Sequence, residues 1–389
     1  MSQKSTHITD LFGTLPTPSY IIDENVLRRN GEILASVAAH TGCKILLAQK
    51  AFSNYDFYPL LSGYLSGTEA SGLYEARLGA EEMPDKEVHV FCGAYRDDEF
   101  EELLTYADHI VFNSPHQFKK FAQKAKAAGK SIGLRINPEC STQDGHAIYD
   151  PCAPGSRLGT TRAVWNREMT GEWISLLDGL HFHTLCEQDS DDLETTLAAV
   201  ERSFGDILPQ MKWLNMGGGH HITRNDYDIA RLEKCITYAQ DQWNLCVYLE
   251  PGEAVALNAG YLITRVLDIV ENNGTHIAIL DTSAACHMPD VIEMPYMPPL
   301  YGAKALTDKP ATNADSKHPD FVYRLAGPTC LAGDVIGDYT FAAPLHEGSL
   351  LVFQDMAIYS TCKNNTFNGM PLPDCLLYTS DAADDLTRV

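Results

Sequence analysis

The 389-residue chain carries 29 basic and 52 acidic side chains, for a formal charge of −23, and is 44% hydrophobic and 21% charged. That is the composition of a folded, soluble protein, and the acidic excess argues against a binder of phosphate backbones, which needs a basic face. No run of 18 apolar residues occurs, so no transmembrane helix is expected, and the start MSQKSTHITDLFG lacks the apolar core of a secretion signal. Eleven cysteines run from Cys43 to Cys375 without a C-x-x-C pair. Their odd count and irregular spacing argue against a disulfide framework and a zinc knuckle, and predict a cytoplasmic, reducing location.

In chain order, eight short apolar runs read as strands. They are KILLAQK (44–50), YLSGTEA (64–70), VHVFCGA (88–94), HIVFNS (109–114), SIGLRIN (131–137), GLHFHT (179–184), KWLNMGGG (212–219) and CVYLEPG (246–252). Continuous apolar strands suit a parallel sheet buried on both faces. Between them lie amphipathic stretches such as DDEFEELLTYA, PHQFKKFAQKAKAAG and DLETTLAAVERSFGDIL, with apolar residues three and four apart. The alternation predicts an α/β fold, a (β/α)8 barrel over 24–260. The long connection 138–172 reads equally as a lid or as an insertion. Beyond residue 261 the runs YLITRVLDIV, THIAILDTS, FVYRLAG and SLLVFQD, separated by Pro- and Gly-rich turns, predict a C-terminal β-rich domain over 261–374. The segment 1–23, with its strand PSYIID, is grouped with that domain, although PSYIID by itself suits either unit. The last fifteen residues, Cys375 to Val389, include CLLYTSDAADD, which resembles the translation of a sequencing adapter. This tail is expected to be non-native, with no functional residue.

Several strand ends offer chemistry, each with a plainer alternative. Lys50 ends an apolar run, where a desolvated amine suits covalent capture of a carbonyl; alone, such a lysine is more often a surface residue. Gly217, Gly218 and Gly219 follow the seventh strand, where backbone N–H groups approach a phosphate unobstructed, yet tight turns need glycine too. His183 ends the sixth strand and suits stacking on a flat cofactor, a metal, or a core hydrogen bond. The pairs His181/His183 and His220/His221 raise a zinc site, but no supporting ligand motif accompanies them, and no metal is predicted. Glu250 ends the eighth strand, where a carboxylate keeps a pyridine nitrogen protonated. Cys330 lies in the turn GPTCLAGD and is expected to be exposed.

Taken in order, LLAQKAF, FHT, GGG, EPG, GPTC and MAIYSTCKNNTFNG resemble the fold-type III pyridoxal-phosphate decarboxylases, related to ornithine and diaminopimelate decarboxylases and to alanine racemase. The resemblance runs from about Pro16 to Pro373. It implies pyridoxal 5'-phosphate as cofactor, anchored covalently on Lys50, stacked on by His183, held at its phosphate by Gly217–219 and Tyr359, and paired at its ring nitrogen with Glu250. It further implies a homodimer with shared active sites, Cys330 of one copy reprotonating the product of the other, and Phe367 packing near the site.

EASGLYEARLGAEE, GLHFHTLCEQD, GGGHHIT, LEPGEAV and HMPDVIEMPYMP point to the branch of the family that acts on carboxylated polyamines. The chain departs from the wider family at EPGR, where it has Glu253. A carboxylate suits a phosphate poorly, so Glu253 is expected to meet a substrate ammonium. Leu331 replaces the acid that usually follows the cysteine, which shifts the substrate-amine contact to Asp334. His287 and Asp290 are further candidate substrate contacts, and Glu187, Asp189 and Glu293 add carboxylates for a polycation. Part of the negative charge then has a specific use beyond solubility. The rivals are a diaminopimelate decarboxylase, which needs a cation such as Arg135, Arg157 or Arg162 for a distal carboxylate, a barrel-only cofactor-binding protein, and a racemase. No nucleic acid or membrane partner is expected.

Overall fold

The computed structural model describes residues 12–143, 149–306, 321–379 and 387–388. The chain forms two compact units, Arg28–Val255 and Met1–Leu27 with Ala256–Val389. The first strand, β1 (Ser19–Asp23), belongs to the second of these.

The 28–255 unit is built on β2 (Lys44–Ala48), β3 (Gly67–Ala70), β4 (Glu87–Phe91), β5 (His109–Phe112), β6 (Ser131–Asn137), β8 (Gly179–His181), β9 (Trp213–Asn215) and β10 (Cys246–Leu249). Each pairs in parallel with the next, and β10 pairs with β2, so the eight strands close a barrel. All eight apolar runs thus supply a strand. The two-residue β7 (Thr160–Thr161) adds to β6 outside the ring. The amphipathic stretches form helices at Phe100–Tyr106, Pro115–Ala127 and Ser190–Phe204. Their ends are set by local chemistry. Ser114 accepts from the Gln117 N–H ahead of Pro115, and Asp189 and Asp192 form a reciprocal capping box.

The long 138–172 connection contains β7 and short helices at Arg162–Glu168 and Gly171–Ile174. Its described beginning is stitched to the segment after β8. Gln143 donates to the Cys186 carbonyl and to Gln188, and Gln188 donates back to Thr142.

At the N-terminal end of the barrel, Leu46, Val111, Trp213 and Tyr248 pack together. The Trp213 ring lies across Gly133 and Gly179, where an added Cβ would meet ring atoms at 2.3 and 2.0 Å. These glycines leave the volume that the indole fills.

The other unit is a mixed sheet. β1 lies between β11 (Gly260–Asn272), antiparallel to it, and β17 (Asp374–Tyr378), parallel to it. β11 also pairs with β12 (Thr275–Leu280) and with β16 (Leu350–Gln354). The sheet continues through β14 (Phe321–Ala326) and β15 (Val335–Phe341) to β13 (Ala303–Ala305). PSYIID is therefore a strand of the sheet unit. The segment expected to be non-native contributes β17; such pairing uses backbone groups that any sequence carries. Among the described residues no helix is long and apolar enough to cross a membrane. No disulfide joins any of the eleven cysteines.

Filling the space beneath Trp213 should be costly. Gly179→Ala is expected to lower the unfolding free energy by about 1–3 kcal/mol through overpacking, measured as a shift in denaturant midpoint at constant slope. An unchanged midpoint would show that the indole moves freely.

Candidate active site

The C-terminal ends of the barrel strands carry the chemistry. Register places Arg135 of β6 opposite His181 of β8, and His181 opposite Asn215 of β9. Glu250, one residue beyond β10, closes the row. Its Oε2 lies 3.0 Å from His181 Nε2, and its Oε1 accepts from Asn215 Nδ2 at 2.5 Å. Burial opposes ionisation of Glu250, but His181, its hydrogen bond and Lys50 together hold the carboxyl below its ordinary range. Glu250 is therefore a buried carboxylate. A carboxylate accepts about four hydrogen bonds, so capacity remains for another donor.

The glycine triplet interlocks with this row. The Gly217 N–H donates to Asn215 Oδ1 at 2.9 Å, and the Glu250 N–H donates to the Gly217 carbonyl at 2.7 Å. A Cβ on Gly218 would lie 2.0 Å from the Glu250 carbonyl oxygen, and Gly217 and Gly219 have φ of +71° and +84°. Packing between strand ends thus requires the glycines. The Gly218 N–H donates to His183 Nδ1 at 2.9 Å, which makes Nδ1 an acceptor and leaves the ring proton on Nε2. Burial, then the nearby Lys50 and Arg135, keep the His183 pKa well below its ordinary value, so the ring is neutral. Among the described residues the Gly219 N–H meets no protein acceptor.

Lys50 lies two residues beyond β2, and His183 two beyond β8, so both sit in loops rather than ending their strands. The Lys50 side chain is exposed, not desolvated as expected. Its amine makes no hydrogen bond or ion pair among the described residues. It does act electrostatically on Glu69, Glu250, His181, His183 and Cys186.

Two further members of this site were not singled out from the sequence for these roles. Glu69, in β3, is buried, its Oε2 has no hydrogen-bond partner among the described residues, and burial followed by Glu250 pushes its pKa to about 8. Arg135, weighed above only for a distal carboxylate, is buried, donates to the His183 carbonyl at 3.1 Å and lies 4.6 Å over the Phe91 ring. The signal for both was a single ionisable residue inside a strand run otherwise without charge, GTEA and GLRIN.

The histidine pairs separate onto different partners. His220 Nδ1 meets the Tyr227 hydroxyl at 2.6 Å, and His221 Nε2 meets Glu253 Oε2 at 2.7 Å. Glu253 is therefore held by a barrel imidazole. Asp189, expected to face a polycation, instead caps its helix and accepts a forked pair from Arg224 at 2.5 and 2.7 Å. Arg162 is forked onto Asp206, away from any strand-end carboxylate described above. Glu187 is exposed in a left-handed conformation with φ +55°.

Among the described residues, Glu87, His89 and His109 form a group whose potential ligand atoms lie within 4.8 Å of one another. The rings of His89 and His109, a register pair, stack at 3.9 Å and 8°. Their in-plane lone pairs run side by side, and Lys44 already occupies the Glu87 carboxylate. This is a packed layer, poorly shaped for one ion.

In the sheet unit, Cys330 is exposed as expected, and its N–H donates to Asn368 Oδ1 at 2.8 Å. Asp334, expected to bind a substrate amine, is 3% exposed and accepts from Thr329 Oγ1 at 2.6 Å and Ser283 Oγ at 2.9 Å. It organises the cysteine turn. His287 is fully buried, with Nδ1 3.0 Å from Thr282 Oγ1 and Nε2 3.0 Å from the Pro371 carbonyl, so neither nitrogen remains for a substrate. Asp290 and Glu293 both accept from the Lys363 ammonium, which lies 5.6 Å over the Tyr359 ring. Phe367 is exposed in a turn at Phe367–Gly369.

A closed parallel barrel with an amine, a buried carboxylate and a glycine loop at one mouth, accompanied by a mixed sheet unit, defines a class of carbonyl-cofactor enzymes. The sequence matches the family described as "Pyridoxal-dependent decarboxylase, C-terminal sheet domain" over residues 19–357. The chain belongs to the pyridoxal-dependent decarboxylases. A carboxynorspermidine/carboxyspermidine decarboxylase of Campylobacter jejuni is 43% identical over 364 residues, 93% of each chain. A carboxyaminopropylagmatine decarboxylase of Synechocystis is 40% identical over 361 residues, 92% of this chain and 89% of that one. The crystal structure of carboxynorspermidine decarboxylase from Campylobacter jejuni, complexed with norspermidine, matches with TM-score 0.86 at 42% identity, covering 96% of this chain and 97% of that one. Diaminopimelate decarboxylase of Helicobacter pylori, TM-score 0.77 at 19% identity, shares the fold.

The donor set fits a phosphorylated aldehyde cofactor. Among the described residues it offers an unpaired amine, a glycine loop with a free N–H, an ionised Glu250, and a buried Glu69 oxygen with no partner.

Burial, then His89, lowers the His109 pKa to about 3, and burial, then His221, lowers that of His220 to about 4. In the unfolded chain both protonate near pH 6.5, as histidines ordinarily do. Their contribution to stability is complete above that pH and is lost as pH falls toward 4 and then 3. Denaturation midpoints should drop across that interval, and His109→Phe should make the drop shallower. An identical slope in the variant would remove His109 from this account.

Proposed function

We propose that the chain decarboxylates carboxynorspermidine to norspermidine, with carboxyspermidine as a second substrate, using pyridoxal 5'-phosphate. One observation carries the chemistry: the unpartnered Lys50 amine shares the barrel mouth with the buried Glu250 carboxylate and the glycine loop. The named activity of the Campylobacter jejuni relative above carries the substrate class. When bound, the cofactor supplies an electron sink for the pair left behind by CO2.

The protein's residues do the rest. Lys50 anchors the cofactor, and His183 presents a neutral ring to its face. Gly217, Gly218 and Gly219 would hold the phosphate. Glu250, kept ionised, holds a proton at the ring nitrogen. Cys330, contributed by a second copy in a homodimer, delivers the proton that replaces the departing carboxylate on carbon. Asp290 and Glu293 already bind one primary ammonium, that of Lys363, by the chemistry a substrate ammonium would repeat.

A second reading, carboxyaminopropylagmatine as substrate, draws on the Synechocystis relative. CO2 release should be compared for carboxynorspermidine, carboxyspermidine, carboxyaminopropylagmatine and diaminopimelate. Preference for either carboxytriamine supports the proposal; preference for diaminopimelate or the guanidino substrate overturns the substrate assignment. Lys50→Ala should abolish turnover. Cys330→Ala should lower it by about 10²- to 10⁴-fold, the range for a lost general acid, while cofactor absorbance is retained. Loss of that absorbance would count against the role given to Cys330.

A further inference from the structure

The glycine loop offers a phosphate its backbone N–H groups, but a phosphate carries nearly two negative charges at neutral pH and calls for a cation as well. The local side chains look unfavourable. Glu253 and Glu187 both lie close enough to act on His221 and on Cys186. Two carboxylates at the same mouth would oppose the approach of an anion.

Most nearby cations are committed elsewhere. Arg135 is buried against Phe91 and the His183 carbonyl. Arg224 is engaged with Asp189 and Asp226. Lys50 is reserved for the aldehyde in the reading above.

His221 is placed differently. It lies two residues beyond Gly219, and Gln188 ties the two together: its N–H donates to the Gly219 carbonyl at 3.1 Å, and its carbonyl accepts from the His221 N–H at 3.3 Å. The His221 and Glu253 side chains are 14% and 15% exposed, and the imidazole Nε2 lies 2.7 Å from Glu253 Oε2. Among the described residues Nδ1 has no hydrogen-bond partner. The pair has the form of an oriented dyad, in which a carboxylate fixes one ring nitrogen and leaves the other to act.

We propose that His221, oriented by Glu253, binds the cofactor phosphate through its Nδ1–H and supplies the positive charge that the glycine loop lacks. The assignment rests on the proposed use of pyridoxal phosphate. It changes the meaning of Glu253, from a contact for a substrate ammonium to the residue that charges and aims His221. Burial works against the charged ring, but the bond to Glu253, with Glu187 adding and Arg224 opposing, raises the His221 pKa above its ordinary value. His221 also acts electrostatically on His220, and Glu187, Glu253 and Lys50 act on Cys186. The cation therefore persists to higher pH than an isolated imidazolium would.

The test compares pyridoxal phosphate with pyridoxal, which lacks the phosphate but offers Lys50 the same aldehyde. Full-length protein freed of cofactor is titrated with each and followed by absorbance. Taking the ratio of the two affinities cancels the titration of Lys50. His221→Gln should weaken pyridoxal phosphate by about tenfold to a hundredfold, as expected for one charge-assisted hydrogen bond, and leave pyridoxal unchanged. Equal weakening of both, or of neither, overturns the proposal.

In the unaltered protein the preference for the phosphorylated aldehyde should decline as pH rises through the raised His221 value. In Glu253→Gln that decline should begin at lower pH, and an unshifted profile overturns the dyad. Should His221→Gln fail to fold, the Glu253→Gln profile decides alone. If the unaltered protein takes up neither aldehyde, the cofactor reading itself falls, and this assignment with it. That outcome is distinct from a protein that binds both but ignores the loss of His221.

Discussion

The barrel mouth depends on keeping one carboxylate, Glu250, ionised while buried. Moving a lone carboxylate out of water is costly, and it stays charged only where paired donors replace the lost hydration. His181 and Asn215 do this on its two oxygens, from consecutive strands in register. The same Asn215 accepts the Gly217 N–H, and the backbone of Glu250 donates to Gly217 in return. Electrostatic support for the carboxylate and the shape of the glycine loop are therefore one structure. Disturbing either moves the other, and leaving a buried polar group without its hydrogen-bond partner costs about 1–3 kcal/mol, more for a charged one.

Around that carboxylate the barrel interior is graded in charge. At the N-terminal end, His109 is held neutral in a ring stack. His183 is neutral because burial and neighbouring cations disfavour its protonation, whereas His221, beside Glu253, is favoured as a cation. Three histidines of identical intrinsic chemistry thus take three different environments. Sequence spacing does not distinguish them; the partner of each ring does. His181/His183 and His220/His221 look like ligand pairs when read along the chain, yet each ring turns to a separate acceptor or donor.

The fold was legible because its signals are local. Eight apolar runs alternating with 3.6-period stretches require parallel strands covered by helices, and closure into a barrel follows from their number. The amine, glycine loop and carboxylate each had a plainer reading when taken alone, and stood out only because their motifs follow one another in the order that the family resemblance implies. Glu69 and Arg135 were harder to assign, since a charged residue within an apolar run reads as an exception until its neighbours are known. Asp334 and His287 were read as substrate contacts because they lie near motifs. In the folded sheet unit each is buried and fully engaged by its own surroundings, Asp334 by Ser283 and Thr329, His287 by Thr282 and Pro371.

By itself the sequence determined the architecture, the primary amine available at position 50, the flexible backbone at Gly217–219, and the ionisable group available at position 250, because these follow from periodicity and from the intrinsic chemistry of single residues. Only the tertiary structure decided which carboxylates are available and which are bound. Glu253 pairs with His221, Asp189 with Arg224 and Asp334 with Ser283 and Thr329, while Glu250 keeps capacity beside Lys50. The physical reason is that a carboxylate's charge, orientation and freedom depend on what lies within a few ångströms. Those neighbours come from segments far apart in the chain.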